Sequence, residues 1–176
     1  MPQIDATKPF VPLNIAVLTV SDTRTLEDDE SGDLLVSLLE QAGHRNAGRA
    51  VVVDDIALLR AQVAGWIAQS DIDVVLTTGG TGFTGRDITP EALMPLFEKH
   101  IDGFSVVFHM ISYEKIKTST LQSRACAGVA SGTYIFCLPG SPNACRDGWN
   151  EILKWQLDSR HRPCNFVSIM PRMLEK

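Results

Sequence analysis

Two nearly unbroken apolar runs, Leu13 to Val20 and Tyr134 to Leu138, constrain this chain more than any other feature. Such runs are the signature of strands covered on both faces, and so of a sheet sandwiched between helices. The pattern between them alternates. Asp22 to Glu30 is an acidic loop; Ser31 is placed to cap a helix whose stripe is Leu34, Leu35, Leu38 and Leu39, ended by Gly43. Ala50–Val53 reads as a second strand. Asp54 or Asp55 caps a helix with Ile56, Leu59, Val63, Trp66 and Ile67 on its inner face. Asp73–Thr77 is a third strand running into glycines. Thr89-Pro90-Glu91 reads as a capped helix start reaching about Lys99, and Phe104–Ile111 and Ser119–Ala127 read as further helical stretches. After the strand Tyr134–Leu138, Ser141-Pro142 starts a helix to about Leu157. This order predicts an α/β fold with a largely parallel sheet and helices on both faces. Ligands then belong at the carboxyl ends of the strands.

A chain of 176 residues fits one domain, read as an extended lead-in over 1–12 (Pro2, Pro9, Pro12), a domain over 13–166 and a tail over 167–176. Sixteen basic against twenty-one acidic residues give a net charge of -5, which argues against a nucleic-acid or acidic-membrane surface but leaves room for a small anion held by backbone donors. The start carries Asp5, has no basic segment and no apolar run long enough to span a bilayer, so neither a signal peptide nor a membrane helix is expected. Cys126, Cys137, Cys145 and Cys164 show no zinc or CxxC spacing and read as buried or half-buried thiols of a reducing, cytoplasmic compartment.

The run Thr78-Gly79-Gly80-Thr81-Gly82 follows a strand directly. Gly80 to Gly85 formally satisfies GxGxxG, but a dinucleotide fingerprint opens a helix after the first strand, whereas here two strands precede it and the helix signal comes later. A Walker loop is excluded because no Gly-Lys-Ser/Thr follows. Two readings remain: backbone N–H groups cradling an anion, or a tight turn requiring positive φ. A second glycine-containing strand exit, Leu138-Pro139-Gly140-Ser141-Pro142, favours two walls of one polyanion site.

Carboxylates supply the other half. Asp87 lies five residues beyond Gly82, positioned to hold Mg²⁺ against phosphate charge or to close a turn. With Asp54 and Asp55 adjacent, one can cap while the other faces the crevice; Asp22 and Asp29 rank as outer members. His44, His100, His109 and His161 lack metal-ligand spacing. Arg124 pairs either with a phosphate or with a surface acid. Ser141 has no histidine near it and reads as a cap rather than a nucleophile.

These residues resemble the family of molybdenum cofactor biosynthesis proteins of the MoaB/Mog type. The resemblance is carried by Thr19-Val20-Ser21-Asp22, Asp29-Glu30-Ser31-Gly32, the run TTGGTGFTGRDITPEA from Thr77 to Ala92, and LPGSPNA from Leu138 to Ala144; the ending Asp158 to Phe166 is similar to the MoaB branch. It implies a three-layer α/β/α fold, a homo-trimer or homo-hexamer, and Mg²⁺-dependent adenylyl transfer from ATP to molybdopterin for a later molybdenum-insertion enzyme. Asp54 and Asp87 match the two aspartates of that activity and its metal. Thr78, Gly79, Gly80, Thr81, Gly82, Gly140 and Ser141 would contact the ligand. A non-catalytic molybdopterin-binding or scaffold protein is the alternative.

Overall fold

A computed structural model describes residues 3–175; Met1 and Pro2 of the lead-in and Lys176 of the tail lie outside the described residues. Strand β1 (Gln3–Ile4) pairs antiparallel with β8 (His161–Arg162), so the lead-in is tied to the far end of the chain. Arg162 Nε donates to the Asp5 carboxylate at 2.9 Å, and Ser159 Oγ to Pro9 O at 2.9 Å.

The apolar runs form the centre of a six-stranded sheet. β2 (Asn14–Val20), β3 (Arg45–Val52), β4 (Val74–Thr78) and β7 (Thr133–Leu138) are parallel, in the spatial order β3-β2-β4-β7. β6 (Cys126–Ala130) then runs antiparallel to β7, and β5 (Lys99–His100) antiparallel to β6. The strand period of two divides the core. Ile15, Val17, Leu76 and Phe136 share one apolar cluster with Leu35 and Leu39 of α1 (Glu30–Gln41), Phe104 and Phe108 of α4 (Asp102–Ile116), and Cys145 of α5 (Pro142–Gly148). Ala16, Leu18, Val75 and Ile135 share the other with Leu59 and Val63 of α2 (Ile56–Ile67) and Leu93 of α3 (Thr89–Leu93). The result is the three-layer α/β/α arrangement. No helix among the described residues is long and apolar enough to cross a membrane.

Several element ends differ from the sequence reading, each for a local reason. Asp29, not Ser31, caps α1, accepting from Gly32 N at 3.1 Å; Ser31 is buried and donates to Gly140 O at 2.8 Å. β3 begins at Arg45, well before Ala50. Ile88, not Thr89, precedes the first turn of α3, and Pro95 allows only a 3₁₀ turn (Met94–Leu96) after Leu93, so the helix stops short of Lys99. Ser119–Ala127 is not a helix: a 3₁₀ turn (Lys117–Gln122) gives way to β6. The small residues there serve packing, since a Cβ on Gly128 would come within 2.2 Å of the Phe97 ring. Cys164 is exposed, Cys126 is half-buried, and Cys137 and Cys145 are buried.

The chain order places the crevice. From β2 the chain moves to β3 on one side, then crosses back past β2 to β4. The strand order therefore reverses between β2 and β4, and a doubly wound sheet opens a cleft at the carboxyl ends there.

Candidate functional site

At that reversal point lies a cleft of about 420 Å³, walled by Thr19, Ser21 and Arg24 from the β2 end, Thr78 to Gly82 from the β4 end, and Gly140 from the β7 end. The two glycine loops predicted to form one site meet there. Gly79 N donates to Leu138 O at 3.1 Å, Thr78 Oγ1 donates to Pro139 O at 2.9 Å, and a Cβ on Gly140 would stand 3.2 Å from Gly79 Cα. Gly79 has φ +102° and any side chain would strike Val20 O at 2.2 Å, so the turn and the close approach both require glycine.

Thr89 fixes which way the loop's amides face. Its N–H donates to Gly80 O at 2.9 Å and its Oγ1 to Gly79 O at 2.8 Å. In a planar trans peptide the N–H points opposite to its carbonyl. Holding these two carbonyls therefore turns the N–H groups of Gly80 and Thr81 away from Thr89, and neither finds a protein acceptor among the described residues. Both residues line the cleft. Adjacent N–H groups presented this way form an anion-binding concavity. From sequence Thr89 reads as a cap; its partners lie nine and ten residues back, where no local pattern reveals them.

The carboxylates stand on either side of this loop. Asp87 lines the cleft, and its Oδ2 accepts from Thr84 Oγ1 at 2.6 Å and Thr84 N at 2.9 Å. Burial alone would raise its pKa; hydrogen bonds from Thr84 and Gly82 N, with Arg124 nearby, outweigh that and hold it below the usual carboxylate value. Asp54 has the opposite environment. Its neighbour Asp55 caps α2 through Leu58 N at 2.9 Å, so Asp54 is left free to face Gly80, where its Oδ1 would be 3.2 Å from an added Cβ. Among the described residues the backbone N–H of Asp22 donates to its carboxylate, but no side chain does. Burial and the charge of Asp22 push its pKa up, Arg86 opposes them, and Asp87 adds a further raising contribution.

Asp22 was ranked as peripheral, yet it links all three segments: Asp54 N donates to its Oδ1 at 3.1 Å, and Arg86 binds it in fork geometry at 2.6 and 2.7 Å. Its place directly after a strand end was the available signal. Asp29 is fully buried, held by Thr19 Oγ1, Arg49 and Gly32 N, and braces the β2 exit. Gly140 lines the cleft, whereas Ser141 does not; it caps α5 by accepting from Ala144 N at 3.2 Å. No cluster of three or more His, Cys, Asp or Glu suited to a metal exists among the described residues. A magnesium ion usually takes one or two carboxylates and completes its shell with water and substrate phosphates. Asp87 lines the cleft, and Asp54 stands beside Gly80 without lining it; both are hard oxygen donors of the kind that mode uses.

Larger cavities of about 610 Å³ and 720 Å³ lie elsewhere, the first between α4 and the C-terminal segment and largely apolar. Neither combines strand carboxyl ends with free amides.

Known proteins match along most of this length. The family described as a probable molybdopterin binding domain matches residues 16–159. Molybdenum cofactor biosynthesis protein B of Escherichia coli (strain K12) is 54% identical over 157 residues, 89% of this chain and 92% of that protein. The protein of the same name from Bacillus subtilis (strain 168) is 44% identical over 138 residues, 78% of this chain and 81% of that one. A crystal structure of a molybdenum cofactor biosynthesis protein B superposes with a TM-score of 0.83 at 40% identity, covering 85% of this chain and 94% of that one.

Proposed function

The chain belongs to the probable molybdopterin binding domain family, and from that premise we propose that it serves molybdenum cofactor biosynthesis as a Mg²⁺-dependent molybdopterin adenylyltransferase. The observation that carries the reading is the loop itself: Gly80 and Thr81 N–H groups without protein acceptors, between one carboxylate anchored by Thr84 and another, beside Gly80, that no side chain bonds. Such a site binds a polyphosphate and divalent metal more readily than a neutral ligand.

In the proposed reaction an oxygen of the molybdopterin phosphate attacks the α-phosphorus of ATP. A new P–O bond forms, the bond from the α-phosphorus to the bridging oxygen breaks, and pyrophosphate leaves. Gly80 and Thr81 amides hold phosphate oxygens in place, and the fixed backbone keeps them aimed as charge shifts toward the leaving group. Asp54 and Asp87 would hold magnesium, which when bound offsets the repulsion between two polyanions. Neither acid has to remove a proton, because a phosphate nucleophile is already ionised at neutral pH.

The same reading extends to a cytoplasmic protein that assembles as a homo-trimer or homo-hexamer and passes its product to a molybdenum-insertion enzyme. A binding or scaffold role without turnover is the second reading, and the hydrogen bonds that occupy Asp87 are what favour it. Incubation with molybdopterin, ATP and Mg²⁺ separates them: stoichiometric and then catalytic pyrophosphate release supports transfer. Tight molybdopterin binding with no pyrophosphate selects the scaffold.

A further inference from the structure

We infer that Arg124 is a positioning residue that shapes the glycine loop from outside the cleft, an inference that rests on the adenylyl-transfer reading above. Arg124 sits between the 3₁₀ turn Lys117–Gln122 and β6, far from the loop in sequence, yet it holds three of the loop's carbonyls. Its backbone N–H donates to Thr81 O at 2.9 Å, its Nε to Gly82 O at 2.8 Å and its Nη2 to Asp87 O at 2.9 Å. Its Nη1 pairs with the Glu91 carboxylate, and the guanidinium carbon lies 5.3 Å from the centre of the Phe83 ring. Every guanidinium nitrogen therefore has a partner. Of the two sequence readings of Arg124, phosphate ligand or partner of a surface acid, the contacts present are those of the second, with Glu91 as the acid.

Location supports the same conclusion. Ser123 lines both the cleft and a cavity of about 720 Å³, whereas Arg124 lines only the second, with Glu91, His100 and His109. The loop is thus gripped from two directions. Thr89 holds the carbonyls of Gly79 and Gly80, and Arg124 those of Thr81, Gly82 and Asp87. Because each carbonyl sets the direction of the following N–H, the Thr89 grips orient the Gly80 and Thr81 amides, while the Arg124 grips hold the chain directly beyond them, from Thr81 to Asp87. The Asp87 carbonyl contact also fixes the backbone from which one proposed metal-holding carboxylate projects. Lysine keeps the charge but, as a flexible ammonium, cannot reproduce several bonds in fixed directions.

The test compares wild-type protein with Arg124→Lys and Arg124→Gln, using pyrophosphate release, molybdopterin affinity, thermal unfolding and hydrogen exchange of the 79–87 backbone. Both variants are expected to stay folded, to exchange faster over 79–87, and to lose roughly 10- to 100-fold in kcat, the scale of a small misplacement of reacting groups. KM should change much less than kcat, and lysine should not rescue. Unchanged exchange with full kcat in Arg124→Gln would overturn the inference. So would a loss confined to nucleotide affinity and restored by lysine, which would make Arg124 a phosphate ligand. If the wild-type protein itself releases no pyrophosphate, adenylyl transfer fails, while the exchange measurement still decides the clamp: faster exchange in both variants upholds it and unchanged exchange rejects it.

Discussion

Asp54 and Asp87 flank the same loop, but their surroundings give the two carboxylates opposite energetic signs. The pKa of Asp54 is raised, chiefly by burial and by Asp22, so its ionised form is less favourable folded than unfolded. Its contribution to stability is present below the ordinary carboxylate value and is lost as pH rises through the folded one. Asp54→Asn removes a charge that opposes folding at pH 7, and its melting temperature should equal or exceed wild type. The pKa of Asp87 is lowered, so its contribution is present above the ordinary value and lost as pH falls. Asp87→Asn gives up charge-assisted bonds from Thr84 and should cost about 1 kcal/mol. Both substitutions should reduce turnover by roughly 10²-fold or more while leaving molybdopterin binding nearly intact. Full activity of Asp87→Asn with saturating Mg²⁺ would remove that residue from the mechanism, and a lower melting temperature for Asp54→Asn would contradict a carboxylate whose charge opposes folding. That one of Asp54 and Asp55 caps α2 was legible in sequence because capping is a local pattern. The tasks of Thr89, Arg124 and Asp29 were not, because their partners are distant or lie on other elements.

Between elements, His44 records how β2 and β3 are joined to the α1 face. It is buried just before β3, and its Nδ1 accepts the N–H of Leu13 at 3.2 Å, which requires an unprotonated nitrogen. Burial pulls its pKa down to about 4, only partly opposed by Asp158. The unfolded chain therefore takes up a proton near pH 6.5 that the folded chain refuses, and stability falls as pH drops from there toward about 4. The slope is at most ~1.4 kcal/mol per pH unit. His44→Gln keeps an acceptor for Leu13 but does not titrate, so its urea midpoint should vary less over this window; parallel profiles for the two proteins would exclude His44 as the cause. Element types were read well where the pattern was long and apolar, as in β2, β4, β7, α1 and α2. They were read poorly where small residues answered to a neighbour: Cys126–Ala130 resembles a helix until Phe97 is seen lying across Gly128.

For the whole molecule, the buried strands and the pair of glycine-containing exits were enough to anticipate a doubly wound sheet with its crevice at the strand carboxyl ends. The reversed direction of β6 was not legible, since strand direction depends on pairing partners. The apolar run Phe104–Ile111 lies within α4, and the helix presents two apolar faces. Phe104 and Phe108 are buried, while Val106, Met110, Tyr113 and Ile116 are 59%, 65%, 48% and 52% exposed at roughly helical spacing. Such a stripe on a 15-residue helix exposes more contiguous apolar surface than scattered single residues would. Burying it against further copies of this chain is the outcome predicted here, with the resemblance supplying the trimer or hexamer. Sedimentation at micromolar concentration should give a species several times heavier than the 19.3 kDa chain. Val106→Glu with Met110→Glu should shift it toward the single-chain mass. Substitutions at positions this exposed change the stability of an isolated subunit by only about 0.5 kcal/mol, so retained helical signal in the lighter species would tie the loss of mass to the face rather than to unfolding. A wild-type chain that sediments only at 19.3 kDa leaves the stripe without its partner and removes the oligomer.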